Sequence, residues 1–277
     1  MDRSRLRPLE GRVNPLVKEL RRAFANGDLT PDGECAIEGV RMVEEAIRSG
    51  LRFRAVFFRN SAAHRADRVL PQMAAYVETL LLPDKLFASV VPSETPQGVA
   101  ALVRCRQFSL AEVLARADIG PLVAVSGIQD PGNLGTIVRS AEAFGAGGVI
   151  LGEGTVSPFN SKVIRGSAGS IFRLPLAKAR LGEALDQLRA KGVRLIATSS
   201  HERNPLPEAN LRGSLAILIG SEAAGVPREL LAKVDEVVGI PHATSVESLN
   251  AGVAASIVLY EAARQKRASA PAREQTC

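Results

Sequence analysis

The chain is predicted to be an α/β protein in which a mostly parallel sheet, covered by helices, follows a smaller α/β segment. Three observations lead there. Apolar strands alternate with helical stretches along most of the 277 residues, the pattern of a layered α/β fold. The strand "PLVAVSGI" at 121–128 is apolar on both faces, as a central parallel strand should be. Hydrophobic residues make up 46% of the sequence, ample for a buried core at a length that suggests two domains or one large one.

The elements follow in order. Residues 14–27, "NPLVKELRRAFANG", form a helix ended by Gly27, a glycine suiting the left-handed cap position. A short strand at 34–39 and a helix at 40–50 come next, then a strand at 53–59, a helix near 63–74, and strands at 76–83 and 97–104. Residues 105–120 connect the segments and contain one helix. In the second segment, strands are expected at 121–128, 148–151, 193–200, 215–220 and 236–241. Helices are expected at 134–145, 159–172, 181–191, 227–234 and 248–267. The resulting division is a first domain over 1–108, a linker over 109–120, a second domain over 121–267 and a tail over 268–277. Ligands in open parallel sheets bind at the carboxyl ends of the strands, so the loops after 128, 200, 220 and 241 matter most.

Composition narrows the function classes. No window approaches the roughly 18 apolar residues of a membrane span, and "MDRSRLRPLEGR" lacks the apolar core of a signal peptide. Cys35, Cys105 and Cys277 are scattered, and His64, His201 and His242 show no ligand spacing. Neither a disulfide framework nor a metal site is expected, and a cytoplasmic setting fits. Net charge is +6, and residues 1–22 hold seven basic against three acidic side chains. Such a segment attracts phosphate backbones or simply stays solvated. Aromatic residues are 4% with no tryptophan, which disfavours a surface that stacks single-stranded bases. There is no Walker A sequence, and the glycines of "LGEGTVSPFNSKVIRGSAG" do not form a dinucleotide fingerprint.

Three loops can carry chemistry. In "SGIQDPGNLGTIVRSAEAF", 126–144, Leu134, Ile137, Val138 and Ala141 give a helix its core face. Asn133 sits where an N-cap belongs. Arg139 falls in the second turn, against the preference of the helix dipole for cations at the other end, and it can lean toward the mouth of the preceding strand. A guanidinium there suits a phosphate or a reacting oxygen. In "IGSEAAGVPREL", 219–230, Gly220 and Gly225 permit close backbone approach to a ligand, and Glu222 can pair with Arg139 or a ligand. In "IPHATSVESLNAGVAASIVLYEAARQ", 240–265, Thr244 and Glu247 resemble a capping box. Ser248 and Asn250 follow, and then a helix with small residues on its surface, a sign of tight packing or a subunit contact.

Taken in order, "DPGNLGTIVRSAEAFG", "LIGSEAAGVP" and "IP…SLN…VAASIVLYEAAR" resemble the three motifs of the SpoU (TrmH-like) family of RNA ribose 2′-O-methyltransferases, over about residues 120–266. The first segment, with stretches such as "NPLVKEL" and "SETPQGVAALV", resembles the small ribosomal-protein-like RNA-binding domain that many members carry. The resemblance implies a sheet whose C-terminal part threads a trefoil knot, a homodimer through the knotted domain, and S-adenosylmethionine (AdoMet) held near Thr198, Gly220, Ile240 and Leu249. It implies a structured RNA as substrate, ribosomal RNA before transfer RNA. Many relatives have glycine at the position of Thr244 and methionine at that of His242.

The implied reaction is an in-line displacement, in which alignment alone supplies roughly 7–11 kcal/mol. The resemblance puts Arg139 on the ribose hydroxyl. A guanidinium does not lose its proton in a protein, so Arg139 is expected to clamp the neighbouring phosphate and stabilise developing charge on the oxygen. Asn133 is expected to hold Arg139, with Glu222, Ser248 and Asn250 supporting the pocket. The competing class is an RNA-binding ribosome-assembly factor without catalysis.

Overall fold

A computed structural model describes residues 5–9, 14–200, 204–243 and 245–269. It divides into two compact units: Met1–Arg106 with Ser157–Arg173, and Gln107–Val156 with Leu174–Cys277. The chain therefore passes between units three times. The expected division ran the second domain unbroken from residue 121, yet the stretch 157–173 belongs with the first unit. The reason is local packing. Val163 and Ile164 are buried, the helix that carries them lies against a strand of the first unit, and Arg165 bonds the buried carboxylate of Glu38 at 3.3 Å.

The first unit contains α1 (Pro15–Asn26), β2 (Glu34–Glu38), α2 (Val40–Arg48), β3 (Arg52–Arg59), α3 (Ala66–Val69), β4 (Glu78–Leu82), α4 (Asp84–Val90), β5 (Val99–Arg104) and α7 (Ser161–Gly166), with β1 a two-residue strand at Arg7–Pro8. Its sheet runs β1-β4-β3-β5-β2, parallel from β1 through β3 and antiparallel from β3 through β2. α1 is built as its sequence dictates. The Asn14 side chain accepts from Leu16 and Val17, Pro15 opens the helix, and Gly27 closes it in the left-handed region. Val17, Leu20, Ala23 and Phe24 form its buried stripe, packed with Phe57, Phe87 and Leu102.

Between 60 and 72 the expected helix is broken into two 3-10 turns around the short α3. Pro71 lacks the amide proton that a continuous helix needs there. An acidic trio in this unit, Glu19, Asp32 and Glu34, converges on Nη1 of Arg54 at 2.9–3.3 Å, so a guanidinium supplies their positive charge.

The second unit contains α5 (Leu110–Leu114), β6 (Leu122–Val125), α6 (Pro131–Ala143), β7 (Gly148–Leu151), β8 (Leu176–Lys178), α8 (Leu181–Ala190), β9 (Arg194–Thr198), β10 (Leu215–Ile219), α9 (Arg228–Leu231), β11 (Glu236–Val238) and α10 (Ala251–Ala268). Its sheet is parallel throughout, in the order β11-β9-β10-β6-β7-β8. From β6 the chain steps outward through β7 to the edge at β8, and β9, β10 and β11 lie on the other side. β6 and β10 are neighbours at the point where the direction of winding reverses, which is where such sheets hold ligands.

Close glycine contacts set the sheet's far end: a Cβ on Gly120 would lie 2.0 Å from the Gly145 carbonyl oxygen. Helix α10 packs on α6 through small residues. A Cβ on Gly252 would lie 3.0 Å from that of Thr136. Ser256 donates to the Gly252 carbonyl at 2.7 Å and meets the Ser140 hydroxyl at 2.7 Å.

Candidate active site

Three loops at the carboxyl ends of β6, β10 and β11 come together in the second unit. The β6 loop ends in a cap that differs from expectation. Asp130, not Asn133, is the N-cap of α6, its side chain accepting from the Asn133 amide at 2.8 Å, with Pro131 in the first turn. The helix begins three residues earlier than its apolar pattern alone suggested. Arg139 accordingly sits in the third turn, beyond the reach of the N-terminal dipole, which fades within one turn.

The earlier start leaves the Asn133 side chain free for tertiary work. Its Nδ2 donates to Oε1 of Glu222 at 2.8 Å, and its Oδ1 accepts from Nδ2 of Asn250 at 2.7 Å. The same Asn250 amide donates to Glu222 Oε1 at 2.7 Å, and the Ala251 amide donates to it at 3.2 Å. One carboxylate oxygen thus receives three N–H groups, as a charged acceptor can. Asn250 also caps α10, its Oδ1 accepting from Val253 at 3.1 Å. The expected pairing of Arg139 with Asn133 or Glu222 is therefore corrected: both polar partners are used by each other and by Asn250. Arg139 is exposed and makes no hydrogen bond or ion pair among the described residues.

The β10 loop folds on itself. The Gly225 amide donates to the Ser221 carbonyl at 2.8 Å, and a Cβ on Gly220 would lie 2.1 Å from the carbonyl carbon of Gly225. This self-contact alone requires glycine at 220. The capping-box reading at 244–247 does not carry over either. α10 opens at Ala251 behind Asn250, while Thr244 lies outside the described residues.

A cavity of about 370 Å³ opens among these loops, within the range of small-molecule sites. Thr198, Gly220, Ile240 and Leu249 all line it, as do Glu222 and Ser248. Asn133, Arg139 and Asn250 are not in its wall. Ile219, Ile240 and Leu249 offer an apolar bed, and Thr198, Ser199 and Ser221 offer hydroxyls. Nδ1 of His242 lies 2.6 Å from the Ile240 carbonyl, fixing the turn that follows β11. Sequence reasoning did not single out Ser199, Ser200, Ser221 or Arg228, which also line the cavity. It had marked their loops, and the strand-end rule could have named the residues. The donor set is that of a site for a nucleoside-sized, partly polar ligand.

Two family models match the chain in succession. The model of the SpoU rRNA Methylase family matches residues 120–260, and that of the MRM3-like substrate binding domain matches residues 14–101. The chain is 32% identical over 255 residues to the 23S rRNA (guanosine(2553)-2'-O)-methyltransferase RlmP of Bacillus subtilis, covering 92% of this chain and 98% of that one. It is 33% identical to the uncharacterized tRNA/rRNA methyltransferase slr1673 of Synechocystis, over 92% of this chain and 93% of that one. Among solved structures, the AdoMet-bound rRNA methyltransferase from Sinorhizobium meliloti superposes with a TM-score of 0.78 at 28% identity, covering 94% of this chain and 98% of that one. The SpoU methyltransferase AviRb from Streptomyces viridochromogenes, in complex with AdoMet, gives 0.79 at 27% identity, over 94% and 100% of the two chains.

Proposed function

The chain belongs to the SpoU rRNA Methylase family, and from that premise we propose that it transfers a methyl group from AdoMet to a ribose 2′-hydroxyl of ribosomal RNA, in the cytoplasm. The observation that carries this reading is the cavity at the winding reversal of the sheet, lined by Thr198, Gly220, Ile240 and Leu249. Its volume and its mixture of apolar wall and hydroxyl rim fit AdoMet. AdoMet supplies an already activated methyl group, so the protein's task is alignment and the handling of one proton.

In this reading Glu222, Asn133 and Asn250 lock the three loops into one frame, and Ser248 borders the acceptor position. Arg139, charged and unpaired among the described residues, binds the RNA phosphate and stabilises negative charge as it develops on the 2′-oxygen. It is not the base, because its proton is not available. The first unit grips the RNA; the 2′-hydroxyl distinguishes that substrate from DNA. Arg3 and Arg12 of the basic leading segment lie outside the described residues.

The reading also includes a trefoil-knotted path for the second unit and a homodimer. Support for the dimer comes from α10, which leaves Val253, Ile257 and Tyr260 exposed, neighbours at helical spacing. Among the described residues no helix is long and apolar enough to cross a membrane.

The test is transfer of tritiated methyl to unmodified ribosomal RNA and transfer RNA, beside calorimetric titration with AdoMet. Label is expected in the ribosomal pool. Arg139→Ala should lower turnover by about 100-fold or more while AdoMet affinity stays within about threefold of wild type. Near-normal turnover in that variant would remove Arg139 from the mechanism. A wild-type protein that binds RNA but labels neither pool would be the non-catalytic factor.

A further inference from the structure

Two thiols that look scattered in sequence meet in space. Cys35 lies in β2, and Cys105 directly follows β5. In the antiparallel register Cys35 faces Val103, and the Cys105 amide donates to the Gly33 carbonyl at 3.1 Å. The two side chains are therefore diagonal neighbours on one face of the strand pair. Their sulfurs are 3.0 Å apart and both thiols are free. That is roughly 1 Å beyond a covalent S–S bond. Neither thiol has any part in the cavity of the second unit.

We propose that Cys35 and Cys105 are a reversible redox pair, converted by a hydroperoxide to a disulfide that staples β2 to the end of β5. The order of events follows from exposure. Cys35 is 0% and Cys105 8% exposed, so the less buried thiol, Cys105, is assigned the first attack. Its sulfur attacks the peroxide, the O–O bond breaks, and a sulfenic acid and one water (or alcohol) form. The Cys35 sulfur then attacks the sulfenic sulfur. The S–S bond forms, the S–O bond breaks, and the hydroxyl leaves with the Cys35 proton as water. Two electrons pass from the thiols to the peroxide, and a thiol reductant returns them by exchange. The hydrogen bond with Cys105, together with burial, pushes the Cys35 thiol up from its ordinary value, which disfavours it as the first thiol to attack.

The structural consequence is confined to the first unit. β2 is an edge strand, hydrogen-bonded in the sheet only to β5, and the staple closes a loop spanning 70 positions. A cross-link of that span restricts the unfolded chain strongly.

The full chain would be treated with dithiothreitol or with hydrogen peroxide, then mapped by mass spectrometry under non-reducing conditions and melted in parallel. A 35–105 linked peptide pair, lighter by two hydrogens, is expected after peroxide and lost on reduction. Melting of the first unit should rise by roughly 5–15 °C, with AdoMet binding unchanged. Cys35→Ser and Cys105→Ser should each abolish the shift. Cys277→Ser, which leaves the pair intact, should keep it, so the test survives if a core variant folds poorly. Peroxide that leaves both thiols alkylatable overturns the proposal. So does oxidation of Cys105 to the sulfinic acid without the linked pair, or linkage only through Cys277.

Discussion

Glu38 shows what burial does to a single carboxylate. Desolvation in β2 pushes it above its ordinary value of 4.5, against the opposing pull of the Gln97 amide and the Arg165 guanidinium. As pH rises past 4.5 the unfolded chain releases this proton first, so the folded state holds more protons and stability falls through that window. Glu38→Gln removes the titration. Urea midpoints measured from about pH 4 to pH 7 should show wild type losing stability relative to the variant as pH rises; a constant difference would assign the carboxylate no such effect.

At this scale the resemblance names Asn133, Arg139, Glu222, Ser248 and Asn250 as one set with Asn133 on Arg139; the bonds that join Asn133, Glu222 and Asn250 to one another are not legible in the sequence. Asn133 was read as a cap because the apolar stripe begins at Leu134. Asp130 followed by Pro131 was the stronger start signal, a side-chain acceptor before a residue with no amide proton to satisfy. That one shift of register turns the Asn133 side chain from a cap on its own helix into a partner of Glu222 and Asn250.

Among elements, the strands of the second unit were the most readable, since each central one is a continuous apolar run ended by glycine, proline or serine. β8 was missed because its three residues are too few to carry a pattern. α4 was missed because the stretch after Pro83 offers barely two turns. α10 was placed within three residues at its start and one at its end. What the sequence hid was how its residues are shared out: Gly252 and Ser256 meet α6, Tyr260 meets Phe144 at the end of α6, and Val253 and Ile257 stay exposed.

Its far end is held by Gln265, a buried amide that accepts from the Leu211 amide at 2.8 Å. It donates to the Ala209 carbonyl at 2.9 Å and to Glu261 at 2.8 Å. Gln265→Met keeps the length of the side chain and strands two buried backbone groups. Denaturation should show a loss of about 2–3 kcal/mol; a neutral result would mean water replaces the amide.

For the whole molecule, the exposed apolar residues of α10 make a further prediction. Tyr260 meets Phe144 edge to face, with centroids 5.8 Å apart, so the ring is pre-positioned while remaining exposed. If two chains associate there, Ile257→Asp should convert a dimer to a monomer in light scattering, since a buried unpaired carboxylate is costly. The cavity walls do not include Ile257, so AdoMet affinity offers a control for folding. A wild-type protein that scatters as a monomer would end the dimer reading.

The triple passage of the chain between its units has a practical corollary for anyone dissecting the molecule. A gene cut at 106/107 does not yield two modules, because the downstream product inherits 157–173 without β2, against which α7 rests. Val163, Ile164 and Ile171, buried in the intact chain, would then face solvent as sticky surface. The upstream product would lack the same lining. The family match over 120–260 and the physical body are thus different objects. Swapping RNA-binding halves between relatives requires carrying two separate stretches of gene, not one.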